Sequence, residues 1–186
     1  MDRVESIQHQ FSTNAGSYRT SKYHSKAPDL DALREAAQLK GSERVLDLGT
    51  GTGHTALAVA PGAEHVVGID LTTQMLEQAH QLAQERQITN VTFEEGDAQQ
   101  LAYADDSFDV VTCRVCAHHF ADPAAAVREA TRVLRPGGCV LWVDSVAPED
   151  PAQDTFLNSI ELLRDPSHVR DFSISQWQAM FAEAGL

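Results

Sequence analysis

Arg44-Val45-Leu46-Asp47-Leu48-Gly49-Thr50-Gly51-Thr52-Gly53 begins as a short apolar run and closes on three glycines spaced two apart. Val45, Leu46 and Leu48 suit a parallel strand covered on both faces. Glycine reaches positive φ and lets a ligand lie against bare backbone, so this spacing predicts a ligand-facing turn. Thr55-Ala56-Leu57-Ala58-Val59-Ala60 continues as a helix whose first amides point back at that turn, and Pro61-Gly62 stops it.

A glycine-rich turn after a strand also serves dinucleotides. Their fingerprint, G-x-G-x-x-G, requires a third glycine where His54 stands, whereas the chain reads D-x-G-x-G-x-G with Asp47 inside the strand. That pattern resembles the first motif of the class I S-adenosylmethionine-dependent methyltransferases. The resemblance implies that Asp47 and the backbone of Gly49, Thr50, Gly51 and Gly53 hold the methionine end of that cofactor.

Glu64-His65-Val66-Val67-Gly68-Ile69-Asp70 reads as a second strand, ending in a carboxylate 21 residues beyond Gly49. An acidic residue near that distance can accept hydrogen bonds from both ribose hydroxyls. Asp70 could instead cap the next helix, a role equally open to Thr72 or Thr73. The resemblance places Leu71 on the adenine and Met75 in the same pocket. Val91-Thr92-Phe93-Glu94-Glu95 forms a third strand, and Gly96-Asp97-Ala98 after it is similar to the family's G-D-A motif. There Asp97 meets the adenine amino group and the Ala98 amide a ring nitrogen.

Asp105-Asp106-Ser107-Phe108-Asp109-Val110-Val111-Thr112-Cys113 is a turn and a fourth strand, similar to the D-x-S-F-D-x-V segment of the family. Its carboxyl end is expected beside the first strand, at the switch point where open α/β sheets bind ligands. Arg114 is delivered there as a cofactor-side candidate, followed by Val115, Cys116, Ala117, His118, His119 and Phe120. Methyl transfer from a sulfonium is an in-line displacement, so alignment and exclusion of water come first. Acceptors protonated at neutral pH also need a base, for which histidine titrates in the right range. His118 and His119 are the candidates; in an extended segment they point to opposite sides, so at most one faces the methyl group. R-x-x-x-H-H-F recurs after the fourth strand in quinone and related small-molecule methyltransferases. Cys113, Cys116 and the two histidines also suggest a metal cluster, but Cys139 stands alone and a pair of buried free thiols is expected, with no metal.

Asp122-Pro123 starts a helix buried through Ala126, Val127, Ala130, Val133 and Leu134, and Arg135-Pro136-Gly137-Gly138 turns into a fifth strand, Cys139 to Asp144. L-R-P-G-G before an apolar strand is another segment of the family, with a structural role. Asp150-Pro151 opens a helix expected to turn Phe156, Ile160 and Leu163 inward. Ser175-Gln176-Trp177-Gln178 reads as a capping box for a last helix carrying Trp177, Phe181 and Ala184. The resemblance makes His168 and Arg170, just before it, candidates for an acceptor wall.

Residues 1–27 are polar, with Phe11, Tyr18 and Tyr23 spaced through them. Phe11 to Tyr18 looks like the F-x-x-x-A-x-x-Y segment that folds over the cofactor as a lid in small-molecule methyltransferases. Tyr18 and Tyr23 are therefore expected near the sulfonium, where cation–π attraction is worth roughly 0.5–2 kcal/mol. Pro28 and Asp29 start a helix with Leu30, Leu33 and Ala37 at helical spacing, ended by Gly41.

With 186 residues the chain is long enough for one domain with a substantial core. Fourteen Lys and Arg against 27 Asp and Glu leave a net charge of −13, which repels a phosphate backbone and argues against nucleic acid. No apolar run reaches the length of a membrane span, Met1 to Glu5 lacks signal-peptide character, and three cysteines fit a reducing compartment, so a cytoplasmic protein is expected. The expected organisation is a lid over residues 1–27 and a cofactor-binding domain over 28–186. Its fold is a Rossmann-like, doubly wound α/β domain whose mainly parallel sheet carries helices on both faces. Five strands are visible where the family has seven, so the fifth is expected to have an open edge that a second copy of the chain covers. The expected function is methyl transfer from S-adenosylmethionine to a small-molecule acceptor, quinone-like or otherwise aromatic. Two alternatives stay open: a cofactor-binding partner subunit without an acceptor site, and a nicotinamide-dependent oxidoreductase.

Overall fold

The computed structural model describes residues 3–21, 25 and 27–186. Five strands, β1 Arg44–Leu48, β2 His65–Asp70, β3 Val91–Glu95, β4 Phe108–Arg114 and β5 Leu134–Val143, form one sheet in the order β3-β2-β1-β4-β5. All four pairings are parallel, with Leu46 between Val67 and Val111 and Leu48 between Ile69 and Cys113. Strand order reverses between β1 and β4, the switch point anticipated from the sequence.

Alternation along the central strands sorts two cores. Leu46, Leu48, Val67, Ile69 and Val111 face one side with Val127, Ala130 and Val133 of α5 (Pro123–Val133) and Trp177 of α7 (Ile174–Glu183). Val45, Val66 and Val110 face the other with α3 (His54–Val59) and α4 (Thr73–Glu85). Both faces are covered, which is why the strands read as nearly continuous apolar runs. Phe181 and Ala184 pack against the first core as the pattern of the last helix predicts. No helix among the described residues is long and apolar enough to cross a membrane.

Several local expectations are corrected. The fifth strand starts at Leu134, not Cys139: Leu134 pairs with Phe108, and the register shifts before Cys139 pairs with Val110, so the L-R-P-G-G segment is an irregular extension of the ladder. The capping box belongs to Ser173, whose hydroxyl accepts from the Gln176 amide while the Gln176 side chain accepts from the Ser173 amide. Two S-x-x-Q registers compete here, and Glu149 takes the hydroxyl and amide of Ser175 instead. In α6 (Pro151–Arg164) Phe156, Ile160 and Leu163 are 68%, 44% and 86% exposed rather than inward. Helical period identifies an apolar stripe but not what covers it. The helix is held through Asn158, which donates to the Asp171 carbonyl at 3.1 Å and accepts from the Asp171 amide at 2.7 Å.

Two further helices precede the sheet, α1 (Arg3–Thr20) and α2 (Pro28–Ala36). The polar composition of α1 is explained by its seat on α4: Gln8 donates to the Leu71 carbonyl at 2.9 Å, Ser12 to Gln74 at 2.9 Å, and Arg19 pairs with Glu85.

Candidate active site

Strand β1 ends in a turn with φ of +58° at Gly49, +53° at Gly51 and +81° at Gly53. Among the described residues nothing stands within 4 Å of where a Gly51 Cβ would lie, so the backbone there is bare of them. Gly53 instead faces the core, where a Cβ would sit 2.9 Å from Phe93 and 3.0 Å from Ala79.

Asp47 is buried behind this turn and accepts hydrogen bonds from the hydroxyls of Thr50 and Thr112, both at 2.6 Å. Burial pushes its pKa up to about 6 against the lowering effect of those bonds. A raised folded-state pKa favours the protonated acid, so this stability is present below the unfolded value and lost as pH rises through about 6. Asp47→Asn should therefore flatten the stability profile between roughly pH 4 and 8, removing about 2–3 kcal/mol of its fall. Urea unfolding across that range checks this; an unchanged slope would mean that Asp47 is not desolvated.

Asp70, at the end of β2, accepts from the Gly51 amide at 2.9 Å through one oxygen and from the Thr72 amide at 2.8 Å through the other. Desolvation raises its pKa. Each carboxylate oxygen keeps acceptor capacity beyond these bonds. The N-cap of α4 is Thr72.

Two adjoining cavities open over the carboxyl ends of the strands. The smaller, about 120 Å³, is lined by Tyr18, Gly49, Thr50, Gly51, Asp70, Leu71, Met75, Asp97, Ala98, Arg114 and His119 among the residues anticipated from the sequence. Asp47, Gly53 and His118 do not line it, and Tyr23 lies outside the described residues. Phe11, Thr52, His54, Thr55, Gln99, Cys116 and Phe120 also line this cavity. Phe11, Thr52, Thr55, Cys116 and Phe120 were legible only as members of quoted segments, and no motif marks His54 or Gln99. One Asp97 oxygen accepts from the Gln99 amide at 2.8 Å and side chain at 3.0 Å. Arg114 is buried and its Nε donates to Asp29 at 2.6 Å, tying β4 to α2; Asp29's pKa falls, desolvation being outweighed by this guanidinium.

The residues fit S-adenosylmethionine. The bare backbone at Gly51 lies beside the half-buried Asp70 carboxylate, which keeps acceptor capacity, and Leu71, Met75 and Ala98 supply an apolar wall.

The larger cavity, about 790 Å³, shares Phe11, Tyr18, Val115 and His119 with the smaller and adds His118, Asp144, Asp165 and His168. Beyond β4 the chain is not extended as expected. Val115 has φ +53°, and Ala117–His119 form one 3₁₀ turn, so the two imidazoles stand 4.1 Å apart between ring centres. The same turn brings the Cys113 and Cys116 sulfurs within 3.3 Å as free thiols. Phe11 crosses His119 edge-on at 4.9 Å and Tyr18 at 5.5 Å.

The two histidines differ in chemistry. Nδ1 of His118 lies 2.6 Å from an Asp144 oxygen. A carboxylate only accepts, so Nδ1 carries the proton and Nε2 is the basic nitrogen. Burial alone lowers the pKa of His118, but the hydrogen bond and charge of Asp144, with Asp171 and Asp165 behind it, raise it overall. His119 donates from Nδ1 to the Ser167 carbonyl at 3.1 Å, and desolvation together with the His118 charge lowers its pKa to about 4. Arg170, an anticipated wall residue, pairs with Asp154 and does not line the cavity, whereas His168 does.

A family model described as a methyltransferase domain matches residues 39–185. Over 172 residues the chain is 49% identical to the uncharacterised methyltransferase YcgJ of Bacillus subtilis, covering 92% of this chain and 68% of that protein. The YcgJ crystal structure superposes with a TM-score of 0.82 over 84% of this chain and 67% of that one. A demethylmenaquinone methyltransferase of Deinococcus radiodurans is 38% identical over 154 residues, 79% of this chain and 63% of that enzyme. At 22% identity, a Haemonchus contortus phosphoethanolamine N-methyltransferase solved with S-adenosylhomocysteine shares the fold, with a TM-score of 0.82 over the whole of this chain and 45% of that one. The chain thus spans about two thirds of the length of the curated relatives it matches.

Proposed function

The chain belongs to the methyltransferase-domain family of S-adenosylmethionine-dependent enzymes, and on that footing we propose that it methylates a small molecule seated in the larger cavity, with His118 as the base. The observation that carries this reading is the His118–Asp144 pair on the wall of a cavity that shares four residues with the cofactor cavity. When bound, the cofactor supplies an electrophilic methyl group on a sulfonium.

The roles of this chain's residues follow. Asp70 accepts from the ribose hydroxyls, and the backbone of Gly49 to Gly51 holds the methionine end, with Asp47 positioning the turn through Thr50. Leu71, Met75, Asp97 and Ala98 receive the adenine, and Arg114 closes the cofactor side. His118 takes a proton from a hydroxyl or acidic carbon of the acceptor, and Asp144 keeps the imidazole in the tautomer that can do so. His119, with its lowered pKa, stays neutral and serves as a wall between the two cavities. Helix α1, with Phe11 and Tyr18, is the lid on residues 28–186 and excludes water from both cavities.

An aromatic acceptor is supported by the apolar part of the larger cavity, lined by Phe11, Tyr18, Val143 and Leu157, and a quinone-like one by the similarity to a demethylmenaquinone methyltransferase. Cytoplasmic action accords with three free cysteines. The β5 edge, unpaired beyond β4 among the described residues, is the surface on which a second copy would pair. Sedimentation showing a monomer at micromolar concentration overturns that pairing. The methyl-transfer reading is tested by incubating the protein with labelled S-adenosylmethionine and a panel of small phenols and quinols. Transfer that depends on His118 supports it; transfer that survives loss of the imidazole overturns the assignment of the base.

A further inference from the structure

Two sulfurs meet against the glycine turn. Val115, with φ +53°, folds the chain back after β4, and the Sγ atoms of Cys113 and Cys116 come to 3.3 Å as free thiols. A third partner orders their protons. Cys116 donates its single S–H to the Leu48 carbonyl at 3.3 Å, so the Cys113 S–H points at the Cys116 sulfur. Cys113 is wholly buried in β4, whereas Cys116 is half-buried and lines the smaller cavity. The Cys116 sulfur also lies on the open face of Gly49, 2.6 Å from where a Cβ would stand.

We propose that Cys113 and Cys116 are a redox pair, converted to a disulfide by a hydroperoxide entering the smaller cavity, and that this disulfide weakens cofactor binding. The second half rests on the smaller cavity being the cofactor seat. In the first step the Cys116 sulfur attacks a peroxide oxygen; the O–O bond breaks, an alcohol or water leaves, and Cys116 becomes a sulfenic acid. The Cys113 sulfur then attacks the Cys116 sulfur, the S–O bond breaks and water leaves. Two thiols and one hydroperoxide thus give one disulfide, one alcohol or water, and one further water. Burial raises the pKa of Cys113; for Cys116 the hydrogen bond from Cys113 lowers it, and desolvation with nearby carboxylates outweighs that, so the first step is slow. The second is fast because the resolving sulfur is already in contact, which spares Cys116 from further oxidation.

The bond reaches the cofactor side through Cys116. The sulfurs must close from 3.3 Å to about 2.05 Å. Cys113 is fixed in a strand paired on both sides, so Cys116 moves. Its sulfur leaves the face of Gly49 and, without a proton, no longer donates to Leu48, the residue immediately before the turn. Both changes loosen the arc from Gly49 to Gly51. Coupling is reciprocal, so bound cofactor opposes the oxidation. A ring closed over two intervening residues gains little from chain entropy, which leaves the disulfide open to thiol reductants.

The test treats the purified protein with hydrogen peroxide, removes the excess with catalase, alkylates the remaining thiols under denaturing conditions and maps the peptides by mass spectrometry. The Cys113–Cys116 disulfide should form while Cys139 is alkylated, and saturation with S-adenosylhomocysteine should slow its formation. Calorimetry should then show S-adenosylhomocysteine bound about fivefold or more weaker, as loss of a hydrogen bond and a packing contact provides, and restored by dithiothreitol. Cys113→Ser should form no disulfide, and Cys139→Ser should respond as the wild type does. Two alkylated thiols after prolonged peroxide, oxidation of Cys116 to a sulfonic acid without a disulfide, or a Cys113–Cys116 disulfide that leaves the affinity unchanged each overturns the inference. Failure of the reduced wild type to bind S-adenosylhomocysteine would instead overturn the reading of the cofactor site, and the peptide map would still decide whether the pair forms.

Discussion

Replacing His118 with alanine is expected to lower kcat by a factor of about 10²–10⁴ while changing affinity for S-adenosylhomocysteine by no more than about threefold. The asymmetry follows from placement: His118 lines the larger cavity and not the smaller one. A base contributes only when its Nε2 is unprotonated. Because Asp144 and its acidic neighbours raise the pKa of His118 against the effect of burial, activity should fall as pH drops through that raised value. Asp144→Asn removes the largest raising influence, so the acid limb should move to lower pH while the plateau rate declines. A purely packing role for Asp144 would lower the rate without moving the limb. The same ionisation acts on stability with the opposite sense: a raised folded-state pKa stabilises the fold below the unfolded value and that contribution is lost as pH rises through the folded one.

Gly49→Ala is expected to destabilise the protein by about 2–4 kcal/mol and to weaken S-adenosylhomocysteine at least about tenfold. Two penalties combine. At φ +58° a Cβ is strained whatever surrounds it, and here it would stand 2.6 Å from the Cys116 sulfur and 2.8 Å from its Cβ. Cys116 has little room to retreat, because its sulfur is placed by the Leu48 carbonyl at 3.3 Å and the Cys113 sulfur at 3.3 Å. Any shift therefore pushes either the binding turn or the end of β4 that leads to His118. Adding Cys116→Gly should recover the steric part and leave the backbone part. Urea unfolding and calorimetry of the single and double variants measure both, and a single variant as stable as wild type with unchanged affinity would contradict the turn described here.

The cofactor half of the site was legible because its physics is local. Glycines at two-residue spacing, a carboxylate closing the second strand and Gly96-Asp97-Ala98 each carry their geometry within a few residues, and of the described residues expected on the cofactor side all but Asp47 and Gly53 line the small cavity. The place of Asp47 behind the turn was not legible, because its position in a strand fixes which face it takes but not that Thr50 and Thr112 will claim its oxygens. The proposed acceptor half depends on contacts across 26 or more residues, such as His118 with Asp144 and His119 with Ser167, and nothing at His118 announces a partner just past the end of β5. The paired histidines looked extended because the positive φ at Val115, a β-branched residue, runs against local preference. The stripe of α6 was readable as helix and misread as core, since Phe156 and Leu163 reveal amphipathicity but not the absence of a covering layer among the described residues.

The most direct measurement is calorimetric titration of the folded chain with S-adenosylhomocysteine, repeated on Asp70→Ala and with NAD as the control ligand. Asp70 joins the Gly51 amide to the start of α4, and its remaining acceptor capacity faces the smaller cavity. Micromolar or tighter binding to the wild type, lost in a variant that circular dichroism shows to be folded and absent for NAD, is the predicted result. A well-folded wild type that ignores S-adenosylhomocysteine, or takes NAD equally well, would contradict the account.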